Sequence, residues 1–208
     1  MKVLMVDVDG VLVHGRPADG LPFATYLERD LGLPVEVLQR EFFKPYWPDI
    51  VTGREPIEPR LTDVLSRIAP HLEAETLLQY WFENDSRLDE QLLTDLAALR
   101  ETGVALYLAT NQEHRRAAWL LGKLGLAARF DGIFYSAKLG HRKPGLDFFR
   151  LATAETGVSP PDIGFIDDAA ENIEGARLFG WNAVQWTQGM ALRGAFAPLS
   201  GHAISEAK

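Results

Sequence analysis

Five short apolar runs, each bounded by chain breakers or polar clusters, constrain this 208-residue chain most: residues 3–6, 104–109, 132–135, 163–166 and 183–186. Runs this short, without polar alternation, read as strands buried on both faces. Helix-period stretches over 88–102, 113–124, 145–156 and 170–179 separate the later ones, the last stopped by Gly180. Strands alternating with helices require βαβ units, and hence a mostly parallel sheet with right-handed crossovers. The first strand breaks the rhythm, because about 90 residues separate it from the second, whereas a βαβ unit needs only ~30. The intervening span reads as helical over 23–31, 35–43, 57–68 and 74–82, with no strand pattern. This predicts a helical subdomain over 14–85 inserted into a core built from 1–13 and 86–208. After Thr187 the periodicity is weak, and 200–208 is expected to fray.

Composition narrows the function classes. A hydrophobic content of 47% with 24% charged residues is that of an ordinary globular protein rather than a disordered one. The absence of cysteine removes disulfides, thiolate metal sites and cysteine nucleophiles, and it suits a reducing, cytoplasmic setting. No stretch has the order of a secretion signal or the ~20 apolar residues of a membrane span. A formal net charge of −8 argues against nucleic acid as a partner. A small anionic substrate then requires local cations to overrule the global field.

In an open α/β sheet, ligands bind outside the carboxyl ends of the strands. The first strand ends in Asp7-Val8-Asp9-Gly10, two carboxylates that project to one side with Cα atoms roughly 6.5 Å apart. Such a pair is repulsive unless a cation sits beside it, and the glycine lets the chain turn away. The second strand leads to Thr110-Asn111. The loop after the third carries Lys143-Pro144, and the fourth leads to Asp167-Asp168, with Asn172 one turn into the next helix. Each fragment alone is also an ordinary turn or helix cap. Four of them at matching strand ends are not. Carboxylates, a hydroxyl, an amide and a lysine together suit phosphoryl transfer through an aspartyl-phosphate, with magnesium neutralising the remaining charge.

These motifs resemble the four motifs of the haloacid dehalogenase-like hydrolase superfamily, in its subgroup with a C1-type helical cap and phosphatase-like members. The resemblance implies a Rossmann-like parallel sheet of order 3-2-1-4-5 with an inserted cap. It implies Asp7 as the nucleophile and Asp9 as the acid that protonates the leaving alcohol and then activates water. Thr110, Asn111 and Lys143 would hold the phosphate. Mg2+ would be ligated by Asp7, Asp168 and the backbone carbonyl of Asp9, with Asp167 and Asn172 supporting. Departures are Val11 for threonine, His14 for aspartate, and Pro-Gly after Lys143. The implied activity is hydrolysis of a small phosphorylated metabolite, such as a sugar phosphate or a phosphoglycolate-like monoester. A phosphoglucomutase-like phosphotransferase and a non-catalytic binding protein are the rival readings. The dehalogenases themselves lack the second aspartate, so Asp9 disfavours 2-haloacid chemistry. In the cap, His14, Tyr46, Trp47 and Arg54 are candidate pocket residues. A monomer or homodimer is expected.

Overall fold

The computed structural model describes residues 1–196, so the fraying expected over 200–208 lies outside the described residues. Strand β1 (Val3–Val6) is followed by five helices: α1 (Leu27–Leu31), α2 (Val35–Leu38), α3 (Lys44–Ile50), α4 (Ile57–Ile68) and α5 (Ala74–Glu83). Then come α6 (Glu90–Arg100), β2 (Ala105–Thr110), α7 (His114–Gly122), β3 (Gly132–Tyr135) and α8 (Ser136–Leu139). The chain continues through α9 (Leu146–Thr156), β4 (Ile163–Asp167), α10 (Ala170–Phe179) and β5 (Asn182–Gln185). The sheet has the expected order, β3-β2-β1-β4-β5, and all four pairings are parallel.

Apolar packing explains why β1 is uninterrupted. Leu4 and Val6 lie in one buried cluster with Leu92, Leu96 and Leu120 of α6 and α7. Val3 and Met5 lie in another with Phe148, Phe149, Ile173 and Ala176 of α9 and α10. A strand covered on both faces has no solvent side on which to place polar residues.

Residues of α1–α5 form a third buried cluster of their own, which includes Leu27, Phe42, Leu61, Leu77 and Phe82. One element departs from expectation here. Residues 44–50, with Pro45 and Pro48, continue the helix instead of interrupting it. A π-helical turn over Gln39–Phe43 precedes them, closed by the Lys44 N–H donating to the Gln39 carbonyl. Proline lacks an N–H and crowds the carbonyl four residues back, and a wide turn relieves that crowding. The short helix α8 was also unexpected, in a stretch read as loop. No helix among the described residues is long and apolar enough to cross a membrane.

Candidate active site

Register assembles the site. Val6 pairs with Leu108 on one side and with Ile166 on the other. One residue further on, Asp7 therefore stands between Ala109 and Asp167. Its N–H donates to the Ile166 carbonyl at 3.0 Å, which carries the ladder past the strand end. This is where the connections out of β1 and into β4 run to opposite sides, the crevice in which open α/β sheets bind ligands.

Lys143 resolves the juxtaposition of Asp7 with Asp167. Its ammonium lies 2.9 Å from Asp7 Oδ1 and 2.5 Å from Asp167 Oδ2, and donates to the Ala109 carbonyl at 2.7 Å. All three side chains are buried or nearly so. Burial pushes the Asp7 carboxyl up to about 7 against the pull of Lys143, with Asp167 adding to the rise. For Lys143, burial opposes the charge, but Asp7 and Asp167 outweigh it and raise its proton affinity. Asn111 fixes the lysine's backbone by two bonds: its Nδ2 donates to the Lys143 carbonyl at 3.0 Å, and its Oδ1 accepts from the Lys143 N–H at 2.9 Å. The peptide after Lys143 is cis.

Asp167 is consumed by internal bonds. It accepts from the Ala169 N–H at 2.8 Å and from Asn172 Nδ2 at 3.0 Å on both oxygens, as well as from Lys143. Asp168 keeps an open edge, and its partial burial, followed by the charge of Asp167, raises its carboxyl. Gly10, at φ +80°, makes room for it: a Cβ there would lie 2.4 Å from Asp168 Oδ2. Oxygens of Asp7, Asp167 and Asp168 lie within 4.8 Å of one another. Asp7 Oδ1 is buried and lacks a hydrogen bond of good geometry despite its ion pair with Lys143. Converging carboxylates with a short-changed buried oxygen suit a hard divalent cation, and Asp7 and Asp168 are the members with capacity to spare.

Asp9 differs from Asp7 in being about half exposed, with 53% of its side chain open. Its Oδ2 accepts from Gln112 Nε2 at 2.6 Å. The same amide nitrogen is 3.3 Å from Thr110 Oγ1. The guanidinium of Arg116 lies 4.0 Å from Asp9 Oδ1. Gln112 and Arg116 were not anticipated from sequence. A signal existed for each: Gln112 follows Thr110 by two in extended chain, and Arg116 falls on the buried stripe of α7 with Ala117 and Leu120.

His14, Tyr46, Trp47 and Arg54 make no polar contact with Asp7, Asp9, Lys143 or Asp168 among the described residues. His14 Nε2 is 3.0 Å from the Val11 carbonyl and 3.7 Å from Asp89. Tyr46 lies beneath the Arg60 guanidinium, and Trp47 packs against Phe43 and Trp81. Arg54 pairs with Asp49 at 3.1 Å on the surface. The loop carrying Arg54 nevertheless touches the core, since Ser136 Oγ donates to the Val51 carbonyl at 2.5 Å.

Residues 1–180 match the family model for haloacid dehalogenase-like hydrolases. A phosphoglycolate phosphatase of Pectobacterium atrosepticum is 26% identical over 91% of this chain and 81% of its own. The sesquiterpene phosphatase astK of Aspergillus oryzae is 31% identical over 50% of this chain and 54% of its own. Over relatives with 34%, 31% and 35% identity, the match spans only 19%, 54% and 41% of their lengths. A haloacid dehalogenase family enzyme of Bacteroides thetaiotaomicron, solved as a magnesium complex, superposes with a TM-score of 0.79 at 18% identity, covering 94% of this chain and 98% of that one.

Proposed function

Because the chain belongs to the haloacid dehalogenase-like hydrolases, we propose that it is a magnesium-dependent phosphomonoesterase acting through an aspartyl-phosphate. The observation that carries this reading is the pairing of a buried, lysine-bridged Asp7 with a half-exposed Asp9 two residues on. A nucleophile must be ionised and held still, whereas an acid–base group must exchange protons with substrate and water. One strand end supplies both environments.

In this reading Asp7 attacks phosphorus, and Asp9 gives its proton to the ester oxygen as the alcohol leaves. Asp9 then takes a proton from the water that hydrolyses the acyl phosphate. Lys143 favours the ionised form of Asp7 against the lift of burial and meets the charge developing on the phosphoryl oxygens. The Thr110 hydroxyl and the Asn111 backbone N–H would bind those oxygens. Asp7, Asp168 and the Asp9 backbone carbonyl would hold the magnesium ion, which when bound neutralises phosphoryl charge as a Lewis acid. Asp167 and Asn172 would keep the lysine and the strand end in register. Residues 14–85 would act as the cap that excludes water and selects the leaving group.

Two phosphatases among the relatives, acting by name on phosphoglycolate and on fructose 1-phosphate, support small phosphorylated metabolites as the substrate class. The test is phosphate release from a panel of such monoesters, with magnesium and with EDTA. Activity is expected only with magnesium, and Asp7→Asn should fall to background while still unfolding in one cooperative transition. A fully active Asp7→Asn enzyme removes the covalent mechanism. Conversion of hexose 1-phosphate to its isomer without phosphate release would make the protein a phosphotransferase instead.

A further inference from the structure

Asp9 has a problem that Asp7 lacks. Half exposed, it has rotamers to choose from, yet general acid catalysis depends on placing one oxygen against the ester oxygen within hydrogen-bond reach. Two side chains on neighbouring turns limit that choice. Gln112, itself only 2% exposed, donates to Asp9 Oδ2 and shares the same nitrogen with Thr110 Oγ1. Its backbone carbonyl is fixed in turn by the Ala137 N–H at 3.1 Å. Arg116, 1% exposed, faces the other oxygen, Oδ1, from 4.0 Å. That is too far for a hydrogen bond, and close enough to draw Asp9 into this orientation while it is ionised, before it takes up the proton.

Arg116 is itself anchored outside the sheet. It donates to the Phe82 carbonyl at 3.3 Å and to the Asp85 carbonyl, and lies 3.4 Å from Asp85 Oδ2. Phe82 is in the last turn of α5 and Asp85 lies just beyond it, where helix carbonyls lack intrahelical partners and attract cations. The same guanidinium therefore touches the end of the helical insertion and the environment of Asp9.

We propose that Gln112 and Arg116 are positioning residues for Asp9: Gln112 occupies Oδ2 so that Oδ1 carries the transferred proton, and Arg116 ties that orientation to the carboxyl end of α5. The inference rests on the phosphatase reading above. In the step concerned, the Asp7–phosphorus bond forms and the phosphorus–ester oxygen bond breaks. The proton on Asp9 Oδ1 goes to the departing oxygen.

The leaving group separates this role from a merely structural one. A p-nitrophenolate needs no proton to depart, while an alkoxide does. The test compares kcat/KM, which reports events up to alcohol release, on p-nitrophenyl phosphate and on the alkyl monoester that the parent cleaves fastest. Gln112→Leu and Arg116→Lys should each lose at least ~10-fold on the alkyl ester, less than the ~10²–10⁴ that the acid–base group itself supplies, and under about threefold on p-nitrophenyl phosphate. Asp9→Asn should show the same selectivity, and adding Gln112→Leu to it should cost almost nothing more, as for residues acting as one unit. Equal losses on both esters, or additive losses in the double variant, overturn the proposal. If Arg116→Lys fails to fold, Gln112→Leu alone decides it. A parent inactive on both esters overturns the phosphatase reading, and this inference falls with it.

Discussion

At the scale of single residues, Lys143 carries the most electrostatic weight. Replaced by methionine, it would leave Asp7 and Asp167 on adjacent strands, buried and with no cation between them. Breaking a buried pair by removing one partner costs about 3–5 kcal/mol. Lys143→Met should therefore lose about that much in urea unfolding. Adding Asp167→Asn should restore a large part, because the amide removes one of the two stranded charges. Simple additivity of the two substitutions would show that the three groups are not coupled. Legibility at this scale was uneven. Asp7, Asp9, Lys143 and Asp168 follow strands in a pattern the chain displays openly. Gln112 and Arg116 acquire meaning only through partners 103 and 31 positions away.

At the scale of elements, the contact between the loop after α3 and the start of α8 joins the helices between β1 and β2 to the sheet's edge. Gly53 adopts φ +72°, and a Cβ on it would stand 2.3 Å from the Ala137 carbonyl. Backbone is the obstacle on both sides, so no rotamer change relieves it. Gly53→Ala should cost at least about 1–2 kcal/mol for the left-handed conformation alone. It should also speed amide exchange over 51–54 and 136–139, and unchanged exchange in both segments would mean that the loops do not depend on each other. The π-turn before Pro45 belongs to the same scale. Two prolines in a row of aromatics suggest a broken helix by local rules, but burial of Phe42 and Ile50 in the insertion's core favours continuing it.

At the scale of the whole molecule, acids converge from β1, β4 and the end of α5, and pH stability follows. Burial, with the charge of Asp9, lifts the Asp85 carboxyl to about 6 against the pull of Arg116, from about 4 in the unfolded chain. Between those values the folded state binds more protons than the unfolded one, so this group's contribution to stability falls as pH rises through the window and levels off above it. Asp85→Asn carries no such charge. Its stability relative to the parent should grow by up to about 3 kcal/mol from pH 4 to pH 7, at 1.36 kcal/mol per pKa unit. Urea titrations at the two pH values check this, and a constant difference would mean that Asp85 ionises as freely as in water. Magnesium should stabilise the parent by linkage, by about 2.7 kcal/mol at a hundredfold excess over Kd, and EDTA should remove the gain.

What the linear chain determined is the periodicity and the chemistry. Uninterrupted apolar runs dictated buried parallel strands, helix-period stretches dictated their crossovers, and breaker positions put the acids and amide at strand ends and the lysine in the connection beyond β3. Those signals are local, because each depends on which faces of one element meet water. Only the tertiary structure decided which acid is buried and which stays half open. It alone set Lys143 between two carboxylates from adjacent strands and brought the end of α5 against Arg116. Such relations are set by register and by packing between distant elements, which residue spacing along the chain does not encode.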